Sequence, residues 1–191
     1  MEQKSPITAS DLYSLLGEFT VEFERVCLFM REAINYWSIL AGNKDDLYLK
    51  TLTTGMGAKS LLIAFRSIAV RQRELSKDEG KILTNIYNQI ENLILERNDM
   101  LHGTWFGPPT LEKFQEMASI AGKKIIHSKD GITDKYLDLS FETFGPLIEK
   151  CQKLHMILIA VAMSLKSTEF RHNFVYNSEG LIVLADGSIR Y

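Results

Sequence analysis

Apolar side chains recur every three or four residues through the first hundred positions, the spacing that lines one face of an α-helix. Over residues 10–40 they include Leu12, Leu15, Leu16, Phe19, Phe23, Val26, Met30, Ile34 and Trp37. Ser10 and Asp11 offer a cap and an acidic first turn, and Ala41-Gly42-Asn43 offers a stop. A second helix is expected over 45–74, with Leu47, Leu52, Leu61, Leu62, Phe65 and Ile68 on its apolar side. Gly55 and Gly57 lie inside it and cost about 1 kcal/mol each in a helix interior. Either the helix bends there or a neighbour packs closely against it. A third helix begins at Ser76, with Glu79 three residues on as its capping-box partner, and ends near Leu101 before Gly103. No proline interrupts residues 7–107.

The texture then changes. Gly107-Pro108-Pro109 reads as a turn or extended link, and residues 110–121 as a short helix. Lys124-Ile125-Ile126-His127 and Tyr136-Leu137-Asp138-Leu139 flank Lys129-Asp130-Gly131, the pattern of a β-hairpin. A fourth helix is expected over 140–165, rich in Leu, Ile and Met. The strand-like Gly180-Leu181-Ile182-Val183-Leu184 and the turn signal Asp186-Gly187 predict a small hairpin or tail over 168–191. The expected fold is all-α: one domain, 1–191, built as an up-and-down four-helix bundle. A β excursion within 104–139 separates helices three and four.

Composition narrows the possibilities. Of the 191 residues, 46% are hydrophobic and 24% charged, enough for one well-buried core and incompatible with a wholly disordered chain. A net charge of -2 excludes a generally basic polyanion binder but leaves room for a local basic site. Two distant cysteines, Cys27 and Cys151, make no disulfide framework. The longest apolar run, near 156–163, is too short to span a membrane, and the first residues lack a signal peptide's apolar stretch. A cytoplasmic protein with no membrane partner is expected.

Most candidate motifs dissolve on inspection. Gly55-Met56-Gly57-Ala58-Lys59-Ser60 lacks the glycine before Lys-Ser that a phosphate loop requires, and its context is helical. Cys151 and His155 share a helix face without a second ligand pair, so they read as a core cysteine beside an interfacial histidine. No carboxylate or His/Cys set has metal-ligand spacing, so neither metal nor cofactor is expected.

The end of the third helix is different. Arg97 falls near the centre of the apolar stripe formed by Leu83, Ile86, Ile90, Leu93, Ile94 and Leu101. A guanidinium there is costly unless it is paired or faces a cleft. Asn98 and His102, four residues apart, project beside it from one face.

The run Glu96-Arg97-Asn98-Asp99-Met100-Leu101-His102 resembles the R-x(4–6)-H signature of the HEPN superfamily, in which a polar residue, often Asn, follows the Arg. The resemblance covers the motif and, loosely, the bundle over residues 10–167. It implies a metal-independent endoribonuclease, often a toxin or host-defence effector and usually a homodimer, with Arg97, Asn98 and His102 as its functional set. Those residues suit that chemistry. Histidine exchanges protons near neutral pH, and Arg stabilises charge on phosphoryl oxygens with a fork that Lys lacks. Trp105 offers a base-stacking surface, and Arg66, with Arg71, Arg73, Lys123 and Lys124, a basic track. The implied partners are an RNA substrate, a second copy of the chain and a cognate antitoxin or regulatory protein. Two other readings use the same residues: a non-enzymatic helical dimerisation module held together by Arg97–His102, and a nucleotide-binding regulatory domain. The apolar face of helix four, with Leu154, Ile157, Leu158 and Val161, exceeds what a modest bundle requires and favours a dimer.

Overall fold

A computed structural model describes residues 9–43, 45–102, 104–106, 120–128, 131–168 and 170–185. Five helices dominate it: α1 (Ala9–Leu40), α2 (Asp46–Thr54), α3 (Ala58–Ala69), α4 (Lys77–His102) and α5 (Phe141–Ser164). The strands are β1 (Thr104–Phe106), β2 (Ile120–Ser128) and β3 (Gly131–Leu139) between α4 and α5, and β4 (Phe174–Tyr176) and β5 (Ile182–Leu184) after a 3₁₀ turn at Phe170–Asn173. The chain is mostly helical, as its periodicity predicts.

The helix ends follow local chemistry. α1 stops in a Schellman motif: Gly42 takes φ +91°, its N–H bonds Ile39 O at 2.9 Å, and the Asn43 N–H bonds Ser38 O at 3.1 Å. Its start departs from expectation, because Ala9 is already helical and Ser10 is therefore a helix residue, not a cap. α4 opens with the expected capping box. Ser76 N–H donates to Glu79 Oε2 at 2.8 Å, and Glu79 N–H donates to Ser76 Oγ at 3.4 Å. α5 is capped by Ser140, whose Oγ accepts from Thr143 N–H at 3.2 Å. Pro146 sits in its second turn on an exposed stretch, where water can take over the carbonyl that loses its intrahelical donor.

The expected second helix is two helices. The chain breaks at Gly55–Gly57, where Gly57 is extended (φ -67°, ψ 159°) and caps α3, and Asp45 caps α2 through Tyr48 N–H. A Cβ at Gly55 or Gly57 would meet nothing within 4 Å, so close packing is not their reason. Two poor helix formers within three residues are enough to end one helix and begin another. α3 also stops at Ala69, short of the expected Glu74.

The β-hairpin is present and longer than its sequence signal. β2 and β3 pair antiparallel from Ile120↔Leu139 to Ser128↔Gly131; the expected turn residues Lys129 and Asp130 lie outside the described residues. β1 pairs with β2 through Trp105↔Gly122, giving a three-stranded sheet in the order β1-β2-β3. The link at 107–109 and most of the short helix expected over 110–121 lie outside the described residues; Ile120 and Ala121 are strand, not helix. In the C-terminal hairpin β4 pairs with β5. Its turn is Asn177–Gly180, with Asn177 Oδ1 accepting from Glu179 and Leu181 N–H; the turn expected at Asp186-Gly187 lies outside the described residues.

The chain forms two compact units, one from Met1–Phe23 and Leu95–Lys150, the other from Glu24–Ile94 and Cys151–Tyr191. The first buries Phe19, Phe23, Met100, Phe144, Leu147 and Ile148, with the Phe19 ring 6.4 Å from Phe23 and 5.9 Å from Phe144. In the second, Trp37 stacks on Phe65 at 5.3 Å, Phe65 meets Tyr87 edge-on at 5.8 Å, and the Trp37 indole donates to Ala162 O at 3.0 Å. Those three contacts draw α1, α3, α4 and α5 onto one core. Leu154, Ile157, Leu158 and Val161 belong to that core, each at most 2% exposed, so they are not the surplus apolar face expected to favour a dimer.

Arg73 is structural rather than part of a basic track. Its Nε donates to Leu165 O at 2.7 Å, Nη1 to Glu74 O at 3.0 Å, and both terminal nitrogens meet the Glu79 carboxylate. The Arg73 guanidinium, helped by the Ser76 N–H, holds the Glu79 carboxyl down at about 2, against an ordinary 4.5. A depressed carboxyl stabilises the fold above its unfolded pKa and loses that contribution as pH falls towards the folded one. Urea midpoints should therefore be level above pH about 5 and fall steeply towards pH about 2, with about 3 kcal/mol of the loss tracing to Glu79. Glu79→Gln, which keeps a capping amide, should flatten that slope; an unchanged slope would place the acid sensitivity elsewhere.

Candidate functional site

The last two turns of α4 carry the motif residues. This segment lies in the first unit, where α1 contributes Phe19 and Phe23 and α5 contributes Phe144 and Lys150. Arg97 is half-buried, as its place in the apolar stripe requires. The cost of that position is offset by a ring: Cζ of Arg97 lies 5.4 Å from the centroid of Phe23, within cation–π range. Arg97 Nη1 also donates to Asn98 Oδ1 at 3.3 Å. The guanidinium and the adjacent amide thus act as one unit, with the arginine stem packed against aromatic surface.

Charge continues around the helix. Glu96 pairs with Lys150 at 2.7 Å, tying α4 to α5 at a partly exposed position worth at most about 1 kcal/mol. Glu22, one residue before the ring that carries Arg97, is a buried carboxylate at 6% exposure. The first unit therefore holds a buried acid and a half-buried base of opposite sign.

His102 is the final residue of α4, one helical turn beyond Asn98. Trp105 is the central residue of β1. The structure thus brings Arg97 and Asn98 into contact and places His102 and Trp105 just after them along the backbone; the side chains of His102 and Trp105 lie outside the described part. Arg66 belongs to the other unit. Its guanidinium covers the Tyr87 ring at 5.4 Å, and Tyr87 is buried, which pushes its phenol above the ordinary range while Arg66 pulls the other way. Lys123 and Lys124 fall in β2, paired with Tyr136 and Lys135. The expected basic track is reduced by Arg73, and Arg66 has a ring of its own to cover.

His155, expected as interfacial, stacks on Phe29 at 5.5 Å, and Cys151 is fully buried. Among the described residues no group of three or more His, Cys, Asp or Glu is placed to hold a metal ion. No described helix is long and apolar enough to cross a membrane. Phe23, read from the sequence only as part of an apolar stripe, is the neighbour of Arg97 that spacing alone could not supply. It sits 74 residues from Arg97 in the chain, and only the packing within the first unit brings the two together. The chain matches no protein-family model, and comparison with curated proteins and with solved structures gives no match.

The cation–π contact of Arg97 with Phe23 depends on its charge, which lysine also carries. Arg97→Lys keeps the charge above Phe23 and should cost no more than about 2 kcal/mol in urea unfolding. A loss beyond about 4 kcal/mol would identify Arg97 as a partner of a fully buried ion pair instead.

Proposed function

We propose that the chain is a metal-independent endoribonuclease of the HEPN type, with its reacting groups at the C-terminal end of α4. The observation that carries the reading is the placement of Arg97: a guanidinium held on the Phe23 ring and bonded to Asn98, one turn before a histidine that ends the helix. The arginine stem holds that cation in place, and a guanidinium is the side chain whose planar fork matches phosphoryl oxygens. In the reaction the ribose 2′-oxygen bonds to phosphorus as the P–O5′ bond breaks, and a proton passes from the 2′-hydroxyl to the leaving 5′-oxygen. His102 supplies one end of that transfer, Arg97 stabilises the charge on phosphorus, and Asn98 orients Arg97 or the phosphate. A symmetric dimer supplies the second histidine. By the same resemblance the protein is a toxin or host-defence effector, with a cognate antitoxin or regulator as its partner, and its cysteine usage fits a cytoplasmic setting.

A second reading, a non-enzymatic interaction module, is favoured by a different observation. α1 and α5 frame an apolar groove of about 260 Å³ lined by Phe29, Ala33, Tyr36, Ile159 and Met163, and Met163 is 70% exposed. Exposed apolar surface of this kind marks interaction sites.

Incubating total RNA with the wild-type chain and with His102→Ala separates the two. The enzyme reading expects fragments ending in 2′,3′-cyclic phosphate and 5′-hydroxyl, formed in excess EDTA with an optimum at pH about 6–8, and none from His102→Ala, whose unfolding midpoint stays near wild type. DNA should survive. Uniform 5′-phosphates, or activity lost with chelator and restored by Mg²⁺, would mean a different chemistry. Intact RNA in every arm would leave the interaction module standing.

A further inference from the structure

α4 carries a second polar feature at its other end. Lys77, Lys81, Thr84 and Asn88 follow one another at four- and three-residue spacing, so their Cα atoms line one side of the helix over three turns. They form the floor of an open groove of about 500 Å³, whose other wall includes Tyr176 of β4. That volume is within the range of small-ligand clefts. The whole groove lies in the second unit, away from the motif segment in sequence.

Three observations indicate that the groove is built. First, its far wall is pinned. Asn85 Nδ2 donates to Gly180 O at 2.9 Å, Asn85 Oδ1 accepts from Ile182 N–H at 2.9 Å, and Gln89 Nε2 donates to Ile182 O at 3.0 Å. These bonds fix the β4–β5 hairpin, and Tyr176 with it, beside the lysine row. Second, Gly80 lies in the groove floor, inside α4, where a Cβ would meet nothing within 4 Å. Helix propensity disfavours glycine there and packing does not ask for it, but its missing side chain leaves the groove open. Third, Tyr176 is 53% exposed and lines the same groove as Lys77 and Lys81.

Cations spaced one helical turn apart (about 6 Å), amide and hydroxyl tips, and an exposed ring are what a single polynucleotide strand engages: phosphates, sugar and base edges, and a base face. From this arrangement we propose that the groove binds single-stranded RNA, with Lys77 and Lys81 on successive phosphates, Tyr176 stacked on a base, and Thr84 and Asn88 on the sugar or base edges. An acidic peptide would use the lysines but leave the ring without a planar partner. Lys81 now pairs with Asp78 at 3.1 Å, with both side chains at least half exposed, so a phosphate displaces Asp78 at little cost. Arg171, 3.7 Å from Asp78, is left to hold that carboxylate. The proposal does not depend on cleavage at His102.

The test uses a fluorescent 2′-O-methyl oligouridylate of about eight nucleotides, which has no free 2′-hydroxyl to attack and so reports binding alone. Anisotropy with the full chain should give a Kd of roughly 100 μM or tighter at moderate salt. Lys77→Gln with Lys81→Gln should weaken binding and reduce the slope of log K against log salt by about 1.4, two phosphates at about 0.7 each. Tyr176→Leu should cost roughly tenfold. Gly80→Met fills the floor while improving helix propensity, so it should stay folded by circular dichroism yet bind at least tenfold more weakly than Gly80→Ala. Binding unchanged in Gly80→Met and in the double lysine variant would overturn the proposal. So would no binding by the wild-type chain, or equal competition by an oligoglutamate peptide. RNA cleavage by the wild-type chain with an empty groove would leave the ribonuclease reading intact, and groove binding without cleavage would do the reverse.

Discussion

The guanidinium of Arg73 is the joint on which the second unit depends. Four hydrogen bonds leave it, to the end of α5 at Leu165 O, to its own loop at Glu74 O, and to both oxygens of Glu79. Glu79 in turn closes the capping box that starts α4. A single planar cation thus sets where α4 begins, how the chain turns from α3, and where α5 stops. Arginine suits this place because its donors lie in a fixed fork and its charge is never lost; a lysine would satisfy one acceptor well and leave the others. Glu79 is nearly buried, so the pair is screened little by water, and its desolvation is offset by a full set of donors.

The start of α4 so fixed, the rest of the helix presents its residues in a determined order. Its apolar stripe, from Leu83 to Ile94, goes into the core of the second unit, with Leu83, Ile86, Ile90 and Leu93 at most 1% exposed. The polar row from Lys77 to Asn88 lies in the groove beside Tyr176. Continuing the apolar stripe by one more turn reaches Arg97, in the first unit, where Phe23 takes the place of an aliphatic neighbour. An aromatic face is the one apolar surface that attracts a cation, so the stripe can run through a charged residue without a gap in packing. The same helix therefore offers two polar places of different kind: an open cationic groove near its start and a half-buried Arg–Asn pair near its end.

Much of this was legible along the chain. The long apolar patterns of the first, third and fourth expected helices, the Ser76–Glu79 box, the Gly42 stop and the β2–β3 hairpin all rest on interactions between residues a few positions apart, and these recur in the structure. So did the oddity of Arg97, because a charge in an apolar stripe is visible from periodicity alone. The break at Gly55–Gly57 was half legible: the glycines marked the spot, but whether they bend a helix, admit a neighbour or end the helix depends on what surrounds them, and nothing does. β1 went unread because three residues after a glycine carry no alternation, and only β2 beside them makes a strand.

What tertiary structure alone decided is which side chains answer one another across the chain. Arg73 was one of several arginines until α5 brought a carbonyl to it, and the apolar residues of α5 looked surplus until α1, α3 and α4 covered them. Tyr176 and Lys81 are nearly a hundred residues apart, and a groove between them exists only because Asn85 and Gln89 hold the hairpin to α4. The reason is one of range. Propensity, capping and turn formation are settled by neighbours within about one helical turn, so the residue order determines them directly. Burial, ring stacking and long-range ion pairing depend on which segments meet, and the energies that select the meeting are collective, belonging to no short stretch of sequence.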